Sequence, residues 1–144
     1  MVENFKEYLL KEANIKSVKH ENYGQELILD VHDVPSDFFN RLAIREFAEQ
    51  LCDEINMRKG PIHQWGLNSE EHKAKKGEGA IKADGISTCQ FLYKSSITIH
   101  ALDEIQKVFI NIFSCEKFDV NLALKFEEKN VGGKIVNNHN IIRH

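Results

Sequence analysis

Between residues 85 and 115 the chain carries three strand signals in succession, at about 86–93, 96–101 and 107–114, with helical patterns on either side. Upstream, "QELILDVHDV" follows Gly24 and alternates, with Leu27, Leu29 and Val31 facing one way and Glu26, Ile28 and Asp30 the other. Pro35-Ser36-Asp37 breaks that strand and can start a helix, along which Ile44, Phe47, Ala48, Leu51, Cys52 and Ile55 recur at helical spacing. Downstream, Asp119 can cap a short helix, "DVNLALKFEEKN". Gly132-Gly133 stops it, and "KIVNNHNIIRH" closes the chain as a strand. The order predicts an α+β fold, a β-α-β-β-α-β two-layer sandwich. Its sheet is antiparallel with helices on one face, and residues 3–13 add an N-terminal amphipathic helix.

Residues 58–84 hold several glycines and few periodic apolar positions, so they read as a long loop, a feature often functional in a small domain. The 144 residues, 42% hydrophobic and 28% charged, suit a single domain spanning 1–144. A formal net charge of -3 gives no general attraction to nucleic acid or anionic membrane. No apolar run approaches the roughly 20 residues that span a bilayer, and the N-terminus lacks a signal-peptide pattern. A cytoplasmic protein is the expectation. Cys52, Cys89 and Cys115 form no CxxC pair, and the first two read as small buried apolar residues. The seven histidines show no metal-ligand spacing, so no metal is expected. "KKGEGAIKADG" lacks the order of a phosphate loop and reads as a solvated segment. Trp65, near His63, reads as an anchor of its loop to the core, and His139, Arg143 and His144 as edge or tail residues.

The chemistry-bearing residues gather on the three central strands: Ser87, Ser95, Ser96, His100, Glu104 and Cys115. Alternation puts Ser95 with Ile97 and Ile99, and His100 with Ser96 and Thr98 on the other side. Ser95 and His100 therefore meet only through a turn, a bulge or another strand. On spacing alone, surface serines and a partly buried, hydrogen-bonded histidine explain the pattern better than a catalytic pair does.

The segment "DGISTCQFLYKSSITIHALDE…INIFSCEKFD" resembles the small prokaryotic S-adenosylmethionine decarboxylases, and the resemblance covers about residues 23–143. Ser87, Ser95, His100, Glu104 and Cys115 fall at that family's spacing. The resemblance implies that Ser95 attacks the carbonyl before it, that the backbone is cut there, and that a pyruvoyl group is left on the new N-terminus. That ketone is the electron sink for loss of CO₂, a task other enzymes give to a bound cofactor. It further implies that Ser87 and His100 assist self-cleavage, that Cys115 reprotonates the product, and that Glu104 holds the ribose. Homodimers, or other homo-oligomers with sites at or near the interface, are implied as well.

Four positions depart from the family pattern. Lys94 stands in place of the glutamate before the cleavage serine, Ser96 in place of the histidine after it, Leu102 in place of an adenine-stacking tryptophan, and Asp103 in place of the proline that follows it. Lys94 and Ser96 join Glu104 as expected substrate-binding residues. The acyl shift uses the carbonyl of residue 94, so lysine does not forbid cleavage, but it brings a cation near the substrate's sulfonium. The leading expectation is a pyruvoyl-dependent S-adenosylmethionine decarboxylase of polyamine synthesis. A second is an uncut lyase, with no cofactor, that splits S-adenosylmethionine or a nucleotide conjugate of it into methylthioadenosine and homoserine lactone. A third is a non-catalytic binding module or activating partner.

Overall fold

The computed structural model describes residues 23–76 and 85–144. The expected N-terminal helix at 3–13 lies outside them. Six strands form one sheet: β1 (Gly24–His32), β2 (Lys59–Leu67), β3 (Gly85–Leu92), β4 (Ser95–Leu102), β5 (Lys107–Ser114) and β6 (Lys134–Arg143). Their order is β2-β3-β4-β5-β1-β6, and every neighbouring pair is antiparallel. Among the described residues three helices accompany it: α1 (Arg41–Glu54), α2 (Ser69–Lys76) and α3 (Val120–Asn130). The fold is α+β, as the alternation predicts, with six strands where the expected β-α-β-β-α-β order has four, because β2 and a third consecutive central strand join the sheet.

The core follows from two periodicities meeting. Leu27, Leu29 and Val31 of β1 lie opposite Ile112, Ile110 and Val108 of β5, and all six are buried. The matching side chains of β4, Ile97 and Ile99, extend this layer. The stripe Ile44, Phe47, Ala48, Leu51 and Cys52 of α1 closes over it. Each large aliphatic side chain removed from water in this way contributes about 1.5–3 kcal/mol. Phe47 also stacks on Phe126 of α3 with ring centroids 5.6 Å apart, joining the two helices. On the other face of the central strands, Ser87, Cys89, Thr98, His100 and Asn111 are half-buried or exposed.

Helix ends show the expected chemistry with one shift. Asp119 caps α3 by accepting from the N–H groups of Asn121 and Leu122. Pro35-Ser36-Asp37 does not start α1 directly. A short 3-10 turn covers Ser36–Phe38, and Asn40 is the cap, accepting from the Ala43 N–H at 2.9 Å. Gly133 ends the helical segment at φ 77°, where a Cβ would lie 2.4 Å from the His32 carbonyl oxygen.

The long-loop expectation for 58–84 is corrected. Its first part is strand β2, paired with β3 through His63 to Cys89 and Trp65 to Ser87, and α2 follows. β2 is an edge strand, so it tolerates Pro61 and buries little, which is why its apolar alternation is weak. The glycine-lysine segment continues into residues 77–84, outside the described ones. Among the described residues no helix is long and apolar enough to cross a membrane.

Candidate active site

β3 and β4 form a hairpin in which Leu92 pairs with Ser95, leaving Tyr93-Lys94 as a two-residue turn. A tight turn of this kind needs positive φ, and Lys94 supplies it at φ 57°. A non-glycine residue there carries about 1–2 kcal/mol of strain, so the peptide bond before Ser95 follows a strained residue.

β4 also pairs with β5, Ser96 against Phe113, and this register brings Ser95 beside the chain leaving β5. The Cys115 N–H donates to Ser95 Oγ at 3.1 Å. The Ser95 hydroxyl points at Cys115 Sγ, 3.7 Å away, and the thiol lies 3.9 Å from the Tyr93 carbonyl oxygen. Gly24 makes this corner possible. A Cβ there would meet the Ser114 carbonyl oxygen at 2.0 Å and Cys115 Cα at 2.9 Å.

Ser95 and Cys115 line a cavity of about 730 Å³ at this end of the sheet. Three loops each bring one cation to it: Arg58 after α1, Lys94 in the hairpin turn and Lys117 after β5. Glu116 is the acidic side chain of the lining, and His144 lines the cavity too.

The second group of expected residues sits at the opposite end of the hairpin. Ser87 and His100 are cross-strand partners, with Ser87 Oγ 2.8 Å from His100 Nδ1. Glu104 follows in a 3-10 turn, Asp103–Ile105. The pairings of β4 run without a bulge, so five residues separate Ser95 from His100 by about 17 Å at the strand rise per residue. Ser96 is half-buried and points to the His100 side of the sheet, away from the Ser95 cavity. Within one chain, then, Ser95, Cys115 and Lys94 come together, while Ser87, His100 and Glu104 do not join them.

The remaining thiols behave differently. Burial pushes Cys52 up to about 11 and raises Cys89 as well, which holds both as neutral thiols at neutral pH. Trp65 does not anchor its segment to the core: it is 84% exposed, opposite Ser87. Arg143 is tied to Glu26 by an ion pair at the β6 edge. No cluster of His, Cys, Asp or Glu that could hold a metal occurs among the described residues. Sequence reading missed Arg58 and Lys117 at the cavity. Only Lys117, two residues past Cys115, had a local signal.

The S-adenosylmethionine decarboxylase family model matches residues 25–144, nearly all of the described chain. The chain belongs to the S-adenosylmethionine decarboxylase family. This is a family of carboxy-lyases, and membership carries that enzyme class to the chain. The crystal structure of the adenosylmethionine decarboxylase from Aquifex aeolicus VF5 is similar in fold. Its TM-score is 0.65 at 18% identity, and the match covers 85% of this chain and 91% of that one. No curated protein sequence matches.

Proposed function

We propose that this family member is a self-processing, pyruvoyl-dependent S-adenosylmethionine decarboxylase of polyamine synthesis, acting in the cytoplasm as a homodimer. The observation that carries the proposal is the position of Ser95. It stands directly after a strained turn, accepts an N–H from Cys115, and opens onto the cavity. Family membership favours decarboxylation over the lyase and binding-only readings.

In the processing step Ser95 Oγ attacks the Lys94 carbonyl carbon. An O–C bond forms, the C–N bond breaks, and the amide becomes an ester with a free amine on residue 95. The Cys115 N–H, donating to Oγ, orients the hydroxyl as it gives up its proton. Loss of the Ser95 α-proton expels the Lys94 carboxylate, and hydrolysis of the resulting enamine releases ammonia and leaves the pyruvoyl ketone. The site fits that group, because residue 95 is half-buried at the cavity wall with a backbone donor beside its side chain. When present, the pyruvoyl supplies the electron sink for loss of CO₂. Cys115, whose sulfur lies next to residue 95, holds the proton returned to the product carbon.

Ser87 and His100 lie about 17 Å along the hairpin and on the open face of the sheet, so a second copy of the chain is the source from which they reach a Ser95 site. In that arrangement the Ser87–His100 pair moves protons during cleavage and Glu104 receives the ribose hydroxyls. Intact mass of the purified chain under denaturing conditions is the test. Two fragments parted between Lys94 and Ser95 are expected, and their loss in Ser95→Ala. A single full-length species would overturn the pyruvoyl reading.

A further inference from the structure

The cations around the Ser95 cavity are unusual for a site that takes a plain sulfonium. S-adenosylmethionine carries two positive groups and one negative, a net cation. In the uncut single chain the cavity offers Arg58, Lys94 and Lys117 against one acidic side chain, Glu116. Four cations elsewhere are tied to carboxylates, Arg41 with Glu71, Arg45 with Glu49, Lys59 with Asp53 and Arg143 with Glu26, while several surface lysines outside the cavity have no such partner among the described residues but do not converge on a common space. None of the three cavity cations pairs with a carboxylate among the described residues, and the Lys94 ammonium sits 5.7 Å from the centroid of the Tyr93 ring. They come from three separate loops and converge on one space, so the excess positive charge belongs to the cavity and not to one basic segment.

The leaving carboxylate of the substrate does not account for three cations. A cation held against that carboxylate stabilises it before CO₂ is lost and opposes the reaction. We infer that, besides S-adenosylmethionine itself, the cavity recognises a phosphate-bearing derivative of the adenosyl sulfonium, with Arg58, Lys94 and Lys117 meeting the phosphate. The 5′ carbon of such a molecule is occupied by sulfur, so the phosphate sits on one ribose hydroxyl, on the side of these cations, and leaves the other hydroxyl for the Glu104 carboxylate. Arginine matches phosphate oxygens with paired N–H groups, and lysine adds point charge. Tyr23 and Tyr93, both in the lining and half or more exposed, offer ring faces for the base. The inference rests on reading the Ser95 cavity as the substrate site.

Isothermal titration of the full chain with adenosine, adenosine 2′- and 3′-monophosphates and inorganic phosphate tests it without any turnover. One of the two nucleotides is expected to bind at least about tenfold tighter than adenosine and than inorganic phosphate at low salt. The margin shrinks as salt rises, because these cations are exposed. In Arg58→Ala/Lys117→Ala, where both side chains are on the surface and folding is checked by thermal unfolding, the preference falls to about twofold or less. Equal affinity for adenosine and the nucleotides, no measurable nucleotide binding, or a preference that survives in the double variant would overturn the inference. Inorganic phosphate binding as tightly as the nucleotides would overturn it too. The mass measurement stands apart: an uncut chain with a phosphate preference removes the pyruvoyl reading alone, and a cut chain indifferent to phosphate removes this inference alone.

Discussion

The Cys115 N–H donates to Ser95 Oγ at 3.1 Å, while the Cys115 thiol sits 3.7 Å from the same oxygen. One residue therefore presents two groups to the serine, and they separate by mutation. The backbone donor survives any side-chain change, but the thiol does not. Cys115→Ala is expected to cut itself at a rate within about tenfold of the unaltered chain. Its decarboxylation rate falls about 10²–10⁴-fold, the usual range for loss of a positioned proton donor. Fragment mass over time and CO₂ release measure the two separately. Loss of cleavage in Cys115→Ala would show that the sulfur, and not the N–H, activates Ser95.

Gly24 tests the same corner from the other side. A Cβ built there meets the Ser114 carbonyl oxygen at 2.0 Å, a backbone atom that cannot swing away. Gly24→Ala is expected to cost about 1–3 kcal/mol, the usual range for overpacking. It also pushes the 114–115 backbone away from Ser95 and slows cleavage. Urea unfolding and the time course of fragment appearance check both effects. An unchanged cleavage rate in a destabilised protein would detach the corner's geometry from the chemistry.

Lys94 at φ 57° holds the turn in a conformation that suits glycine. In a Ser95→Ala background, which keeps the chain in one piece, Lys94→Gly is expected to raise stability by about 0.5–1 kcal/mol. Relief of left-handed strain outweighs the extra backbone entropy glycine loses on folding. Thermal unfolding of the two uncut variants gives the difference directly. No gain would mean the turn is not strained.

Glu127 is a buried carboxyl on α3 with no hydrogen-bond partner for either oxygen among the described residues. Burial, reinforced by Glu128, lifts it from 4.5 to about 7. The folded state therefore binds its proton more tightly than the unfolded state does. This contribution to stability is fully present below about pH 4.5, declines as pH rises, and is gone above about pH 7. A shift of this size corresponds to roughly 3 kcal/mol across the window. Glu127→Gln is expected to flatten that part of the profile, measured by urea unfolding at intervals from pH 4.5 to 8. An unaltered slope would place the titration on another group.

The sheet and its helices were legible because burial followed simple periods. Leu27, Leu29 and Val31 alternate, and Ile44, Phe47, Ala48 and Leu51 recur along α1, so each pattern named its buried face. β2 was not legible because an edge strand pairs on one side only. Its inward positions are Ile62, Gln64 and Gly66, of which only one is a large apolar side chain. At the site, alternation alone correctly separated Ser95 from His100, and only the family's spacing tied either to Cys115. Arg58 was invisible because it joins the cavity from a loop more than thirty residues before Ser95, a meeting set by how α1 packs. Trp65 misled because a lone tryptophan usually finds a core, whereas here it lies open on the β2 edge.

The separation of Ser95 from the Ser87–His100 pair gives the last prediction. If a second copy supplies that pair, a chain that lacks His100 can still be cut, provided its partner has His100. Co-expressing Ser95→Ala with His100→Ala under two different tags yields hybrid dimers. In these the Ser95 of one chain meets the His100 of the other. Each variant alone is expected to stay uncut or to cut at least about 10²-fold more slowly, the lower end for a lost acid-base group. In the hybrid, the His100→Ala chain is cut at about the normal rate while the Ser95→Ala chain remains whole. Intact mass of the doubly purified hybrid reads both outcomes in one spectrum. Failure of the hybrid to restore cutting, with dimers confirmed by gel filtration, would place His100 in the service of its own chain, against the 17 Å or so that the regular β4 strand puts between them.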